Sequence, residues 1–140
     1  MATDKKISAL TSGIPSTSAD EYIIARSGAN YKITDRHIRS IPQSGSAKTT
    51  SYSLETTDVG RFIEVGASGS ITIPDATFSA GDVVSIFNNT SGNVTITCTI
   101  TTAYIAGTDA DKASVTLATR GVATILFLSG TVCVISGNVS

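Results

Sequence analysis

The chain has 140 residues, enough for one compact domain and an arm but too few for two full domains. Its 10 basic and 11 acidic residues give a net charge of −1, so it lacks the basic face that binding to nucleic acid or to an anionic membrane needs. Thr and Ser are abundant, with 21 and 19 copies, and there are 12 Gly and no Trp. This composition is typical of an all-β protein with many turns.

Hydrophobic segments in the sequence are short. The longest apolar run, 122–128, contains Thr124 and is too short to cross a bilayer, and the polar start lacks a signal-peptide core. We therefore expect a soluble protein that is made in a cytoplasm. Cys98 continues an alternating apolar series that begins at Val94, and Cys133 lies between two valines. Both patterns predict buried thiols, and a disulfide between them stays an open alternative.

Residues 1–40 form the predicted N-terminal arm, and they hold most of the charge. Segments 21–26 and 31–33 are strand-like and flank the turn residues 27–30, which predicts a β-hairpin. Because a two-stranded hairpin is marginally stable alone in water, we expect the arm to dock on another surface. The expected docking residues are Ile7, Leu10, Tyr22, Ile24, Tyr31 and Ile33.

Residues 41–49 have the composition of a linker and are predicted to be extended or flexible. From residue 50 to residue 140, short strand-like segments alternate with turns, which predicts an antiparallel β-sandwich or barrel of about eight strands. The predicted strands are 51–54, 61–65, 70–73, 83–88, 94–100, 114–117, 122–127 and 131–136.

The last two predicted strands are apolar on both faces, at 125–128 and at 132–135. One face of an antiparallel sandwich normally meets water, so something must cover the second apolar face of these strands. An identical neighbour is the simplest cover, which predicts a homo-oligomer. The alternative is that the arm folds back over this face. The expected oligomer interface consists of Leu126, Leu128, Val132 and Val134.

Residue patterns that would support catalysis or metal binding are missing from the sequence. The single histidine, His37, cannot build a multi-histidine metal site. Asp109 and Asp111 could share Ca²⁺, but the loop lacks the other EF-hand ligands and Lys112 would oppose the ion, so we interpret it as a solvated loop tip. There is no nucleophile elbow or phosphate-binding loop. The carboxylates Asp58, Glu64 and Asp75 are scattered singly in the sequence and form no recognisable pair. We expect no enzymatic activity, no catalytic residue, no cofactor and no bound metal.

Several short motifs resemble structural proteins of tailed bacteriophages. Segments 6–10, 20–26 and 30–34 (Lys-Ile-Ser-Ala-Leu, Asp-Glu-Tyr-Ile-Ile-Ala-Arg and Asn-Tyr-Lys-Ile-Thr) resemble an N-terminal module common in phage fibre, appendage and decoration proteins. Segments 57–65, 71–74, 92–96, 119–121 and 134–137 resemble a small phage β-domain. The resemblance implies a virion structural protein, usually trimeric and without enzymatic activity, that is made in the bacterial cytoplasm and resides in the virion.

Chain length helps to choose among virion roles, because a fibre that reaches a receptor usually needs a long shaft. A compact homotrimer with an arm suits a capsid-surface decoration (cement) protein that docks on the major capsid protein. The alternative is a short tail fibre, or an attachment and receptor-binding module, that docks on a tail component. A glycan-binding tip is disfavoured because aromatic residues make up only 6% of the chain. The expected partners are therefore the chain itself and another virion protein, with no nucleic acid and no membrane.

Overall fold

The computed structural model describes residues 21–34 and 40–140. The chain divides into two compact units, Met1–Ser40 and Ile41–Ser140. The predicted anchors Ile7 and Leu10, and also His37, lie outside the described residues. Within the described ranges, no helix is long and apolar enough to span a membrane.

The first unit contains the predicted hairpin. Strand β1 (Glu21–Arg26) pairs antiparallel with β2 (Ala29–Thr34), which confirms the prediction. Ser27 and Gly28 connect the strands, and both have positive φ angles, of 52° and 79°. Two successive positive φ angles are the mark of a type I′ turn, whose twist matches that of the flanking strands.

The second unit, the body, is a sandwich of two open sheets. The five-stranded sheet has the order β4-β6-β10-β11-β8, and the four-stranded sheet has the order β3-β5-β7-β9. This arrangement confirms the all-β sandwich and is not a closed barrel. The strands are β3 (Ser51–Ser53), β4 (Phe62–Val65), β5 (Ser70–Ile73), β6 (Val83–Asn88), β7 (Val94–Cys98), β8 (Thr102–Ile105), β9 (Ser114–Leu117), β10 (Val122–Phe127) and β11 (Val132–Gly137).

Strand direction differs from the antiparallel expectation. Four neighbouring pairs are parallel, namely β3 with β5, β5 with β7, β4 with β6, and β8 with β11. The chain changes sheet after every strand from β3 to β9, so that each of these connections crosses between the sheets. Two successive crossings return the chain in its original direction in β3–β5, β4–β6 and β5–β7, whereas β7 and β9 pair antiparallel. Within the described body, only β10 and β11 follow one another in the same sheet.

One strand was missing from the sequence prediction. The predicted strand 94–100 ends at Cys98, because the backbone N–H groups of Thr99 and Ile100 both donate to the carbonyl of Ile73 and turn the chain away. The chain then forms β8, which pairs with β11 and occupies one edge of the five-stranded sheet.

Alternate residues of the strands point into a single core between the two sheets. The five-stranded sheet contributes residues such as Ile63, Ile86 and Phe127, and the four-stranded sheet contributes residues such as Ile71 and Ile96, all fully buried. The ring of Phe127 stacks on that of Phe78, with the centroids 4.0 Å apart. Cys98 and Cys133 are also part of this core as free thiols, which agrees with their predicted burial.

Residues 41–49, the predicted linker, belong to the second unit and lie along β4 of the body. We call this segment the strap. The Ser44 N–H donates to the Phe62 carbonyl (2.8 Å), and the Phe62 N–H donates to the Pro42 carbonyl (3.0 Å). The Lys48 N–H donates to the Glu64 carbonyl (2.8 Å). The strap thus satisfies backbone hydrogen-bonding groups of β4, which is at the edge of the five-stranded sheet. At an unprotected edge these groups would be open to pairing with another chain.

Candidate self-association surface

An apolar row crosses the outer face of the five-stranded sheet. Val83 in β6 pairs with Leu126 in β10, Leu126 pairs with Val134 in β11, and Val134 pairs with Tyr104 in β8. Residues paired directly across strands share a face of the sheet. The row is therefore four strands wide, and none of its members carries a charge.

A second, shorter apolar row lies beside the first. The Leu128 N–H donates to the Val132 carbonyl at 2.9 Å, and Val132 pairs with Thr102. We call the two rows together the apolar face. Its members are Val83, Tyr104, Leu126, Leu128, Val132 and Val134.

The side chains of the apolar face remain partly in water. Leu126 is 41% exposed and Leu128 is 50% exposed, while Val132 and Val134 are half-buried. The structure therefore brings all four residues of the predicted oligomer interface together on one surface. Burial of apolar surface is worth about 25 cal/mol per Å². A neighbour that covered this surface would gain that free energy.

Rows of mixed polar and apolar residues lie on the other long side of the apolar face. The next row contains Phe62, Ser85, Thr124 and Ser136, and the row beyond it contains Glu64, Phe87 and Val122. The Glu64 carboxylate accepts hydrogen bonds from Asn89 Nδ2 (2.6 Å) and Gln43 Nε2 (3.1 Å). Arg120 in turn donates to Asn89 Oδ1. Both charged groups at this border thus have hydrogen-bond partners within the chain.

The outer face of the four-stranded sheet has the opposite character. Its outward residues in the four strands are hydroxylated, and they pair across the strands in rows such as Ser53–Thr72–Thr97–Ser114. Hydroxyl groups bond well to water, so this hydroxyl face needs no cover. The members of the hydroxyl face are Ser51, Ser53, Ser70, Thr72, Thr95, Thr97, Ser114 and Thr116.

The hairpin unit exposes a separate group of apolar side chains. The register pairs Tyr22 with Ile33 and Ile24 with Tyr31, so four of the predicted docking residues are cross-strand neighbours. Tyr22 is 38% exposed and Tyr31 is 50% exposed. Ile23, which the docking prediction omitted, is the most exposed large apolar side chain described, at 80%. The four central residues of β1 are all apolar. Because neighbours in a strand point to opposite faces, Ile23 must lie on the face opposite to Tyr22, and this pattern could have indicated its exposure.

A buried polar cluster fixes the strap to the body. The Asp58 side chain is fully buried and accepts hydrogen bonds from Ser44 Oγ (2.5 Å), Tyr52 Oη (3.1 Å) and the Glu55 N–H (2.8 Å). Lys48 Nζ lies 4.1 Å from the centroid of the Tyr52 ring, within cation–π distance. We call Ser44, Lys48, Tyr52 and Asp58 the polar latch. Sequence reasoning treated Asp58 as an isolated carboxylate, because its partners are up to 14 residues away.

The environment of Tyr52 raises the pKa of its phenol from 10.0 to about 12. Desolvation by burial is the largest cause, followed by the hydrogen bond to Asp58 and the negative charges of Asp58 and Glu55. All of these oppose the formation of a phenolate. Tyr52 is therefore the neutral donor, and Asp58 is the acceptor.

Acidic residues elsewhere in the body serve structural contacts. Asp111 Oδ1 accepts a hydrogen bond from the Ala103 N–H at 2.9 Å, which ties the loop after β8 to the strand edge. Asp109 is exposed in the same loop. Across residues 21–34 and 40–140, no group of three or more His, Cys, Asp or Glu side chains is arranged to hold a metal ion.

No protein-family model matches this chain, and neither a characterised protein nor a solved structure matches it.

The raised pKa of Tyr52 predicts a pH-dependent loss of stability. Because the folded state holds the phenol proton more tightly than the unfolded state, this contribution is full below pH 10 and is lost as the pH rises towards 12. Titration of the tyrosines followed by ultraviolet absorbance should show one phenol that ionises well above pH 10, and this phenol should be missing in Tyr52→Phe. A Tyr52 phenol that titrates near pH 10 in the folded protein would contradict the latch geometry.

Proposed function

We propose that this chain is a non-enzymatic structural protein of a bacteriophage virion, a homotrimeric decoration protein of the capsid surface that docks through its N-terminal arm. The observation that carries the proposal is the apolar face of the body. An isolated body would leave the half-exposed side chains of Leu126 and Leu128 in water. In a structural protein that assembles from several copies, such a surface would be buried between the copies.

The chemistry of the apolar face favours a second copy of the chain as its cover. The row from Val83 to Tyr104 is uncharged, so its cover must also be uncharged and apolar. Each copy carries such a surface. Specific interfaces have an apolar centre and polar groups at the rim. Ser85, Thr124 and Ser136 supply polar groups beside the apolar face, and the charges of Glu64 and Arg120 already have partners within the chain. The number three comes from the resemblance to trimeric phage proteins.

The hairpin unit is the docking element in this proposal. A two-stranded hairpin gains little stability from its own contacts, so burial of Tyr22, Ile23 and Tyr31 against a partner would stabilise it. The segment that contains Ile7 and Leu10 adds two apolar anchors in sequence. The partner on a capsid would be the major capsid protein. A tail component is the partner if the chain is instead a short tail fibre or an attachment module.

Self-association can be tested by the mass of the protein in solution. Light scattering on the purified chain should give three times the monomer mass. Leu126→Asp should yield monomers or unfold the protein, because the interface would bury a carboxylate without a partner. Thr97→Asp, the matched control on the hydroxyl face, should remain trimeric. A wild-type monomer at micromolar concentration would contradict the proposal.

Docking can be tested by removal of the arm. The chain without residues 1–40 should remain folded and trimeric but no longer bind particles that lack the native protein. Ile7→Asp combined with Leu10→Asp should have the same effect. On virions, the wild-type copy number should be comparable to that of the major capsid protein, whereas a tail fibre would be present in far fewer copies.

Two results would contradict the assignment of the arm. Aggregation of the truncated chain would indicate that the arm covers the apolar face of its own body. Full decoration of particles by the truncated chain would indicate that the body itself docks.

A further inference from the structure

The strap is held to the body at both of its ends. Near its start, the N–H of Ser44 and the carbonyl of Pro42 bond to the backbone of Phe62 in β4. Near its end, the N–H of Lys48 bonds to the Glu64 carbonyl, and the Gly66 N–H donates to the Lys48 carbonyl at 2.9 Å. Between these points Gly45 and Ser46 are exposed. The strap is therefore held at two places, and its centre is exposed.

Side chains add a polar fastening to each of these ends. Ser44, only 8% exposed, donates from its hydroxyl to the fully buried carboxylate of Asp58. Lys48 covers the ring of Tyr52, whose hydroxyl reaches the same carboxylate. Both fastenings thus converge on Asp58. Loss of either hydroxyl would leave this carboxylate with fewer donors, which is costly because Asp58 is fully buried.

The position of the strap sets the length of free chain before the body. With the strap fastened, the body begins at Ile41, directly after the first unit ends at Ser40. With the strap released, nine more residues become free, which can span up to about 30 Å when extended. When one unit is already bound to a particle, the tether sets the effective concentration of the other unit at that particle. This concentration falls roughly as the −3/2 power of the length of the tether.

From this geometry we infer that the polar latch sets the tether between the arm and the body, and that Ser44, Lys48 and Tyr52 are positioning residues for docking. The effect on docking rests on the proposed function, whereas the latch itself does not depend on it. A fastened strap shortens the segment of chain that joins the docking arm to the body. An opened strap lets them separate and weakens decoration, although both contact surfaces are unchanged.

Release of the strap can be measured by proteolysis. Trypsin cleaves after lysine, and the Lys48–Thr49 bond lies in the strap. A protease needs a locally opened chain, so cleavage at this bond measures release of the strap. The variant to test is Ser44→Ala with Tyr52→Phe, which removes two hydroxyls and adds no bulk. Ser46→Ala is the matched control, because Ser46 is an exposed hydroxyl on the same strap.

We expect the double variant to lose residues 1–48 at least about tenfold faster than the wild type, as read by mass spectrometry. Ser46→Ala should be cleaved at the wild-type rate, and all three proteins should have the same solution mass and circular dichroism. If the double variant loses its fold, Ser44→Ala alone provides the same comparison. Equal cleavage rates in a folded latch variant and in Ser46→Ala would overturn the latch.

Particle binding tests the consequence for docking. The double variant should bind particles that lack the native protein up to about fourfold more weakly than the wild type and Ser46→Ala do, which is the −3/2 power of a tether that grows by nine residues. Unchanged binding by a variant whose strap is cleaved rapidly would overturn the positioning role. Failure of the wild type to bind any particle would overturn the proposed function and the positioning role together, while the cleavage result would still decide the latch.

Discussion

Packing of alternate strand residues into one core between two sheets is the constraint on which the rest of this structure depends. It fixes the inward residues, such as Ile86 and Ile96, but makes no demand on the outward ones. The two outer faces are therefore free to differ, and they do. One is lined by hydroxyls such as Thr95 and Thr97, and the other carries a four-strand row centred on Leu126. The core does not require that row, which is why we propose that a second copy of the chain covers it.

Much of this organisation could be predicted from local pattern. Alternation identified the strand that begins at Val94, and the burial of Cys98 and Cys133 followed from their apolar neighbours in the sequence. The outward position of Leu126 and Val134 followed as well, because a strand that is apolar on both faces must present one of them outside its own core. These features depend on the period-two geometry of a strand, which a sequence displays directly.

Strand direction and the strap could not be predicted in this way. A short turn such as 66–69 has the same composition whether it joins neighbours in one sheet or arches between two sheets. Residues 41–49 resemble a linker because their fastening depends on Asp58 and Phe62, which lie later in the chain. Contacts of this kind depend on residues distant in sequence, and single-sequence patterns do not report them. The same reasoning explains why Asp58 looked isolated in the sequence although it is the centre of the latch.

The most direct test of the account is whether a neighbour covers the apolar face, and the absence of Trp from the chain makes fluorescence suitable for it. Leu128→Trp places a reporter on the apolar face, and Thr97→Trp places one on the hydroxyl face. The account predicts blue-shifted emission for Leu128→Trp that moves to longer wavelength as dilution separates the copies, and solvent-exposed emission for Thr97→Trp throughout. Solvent-exposed emission from both variants at every concentration would contradict self-association through this face.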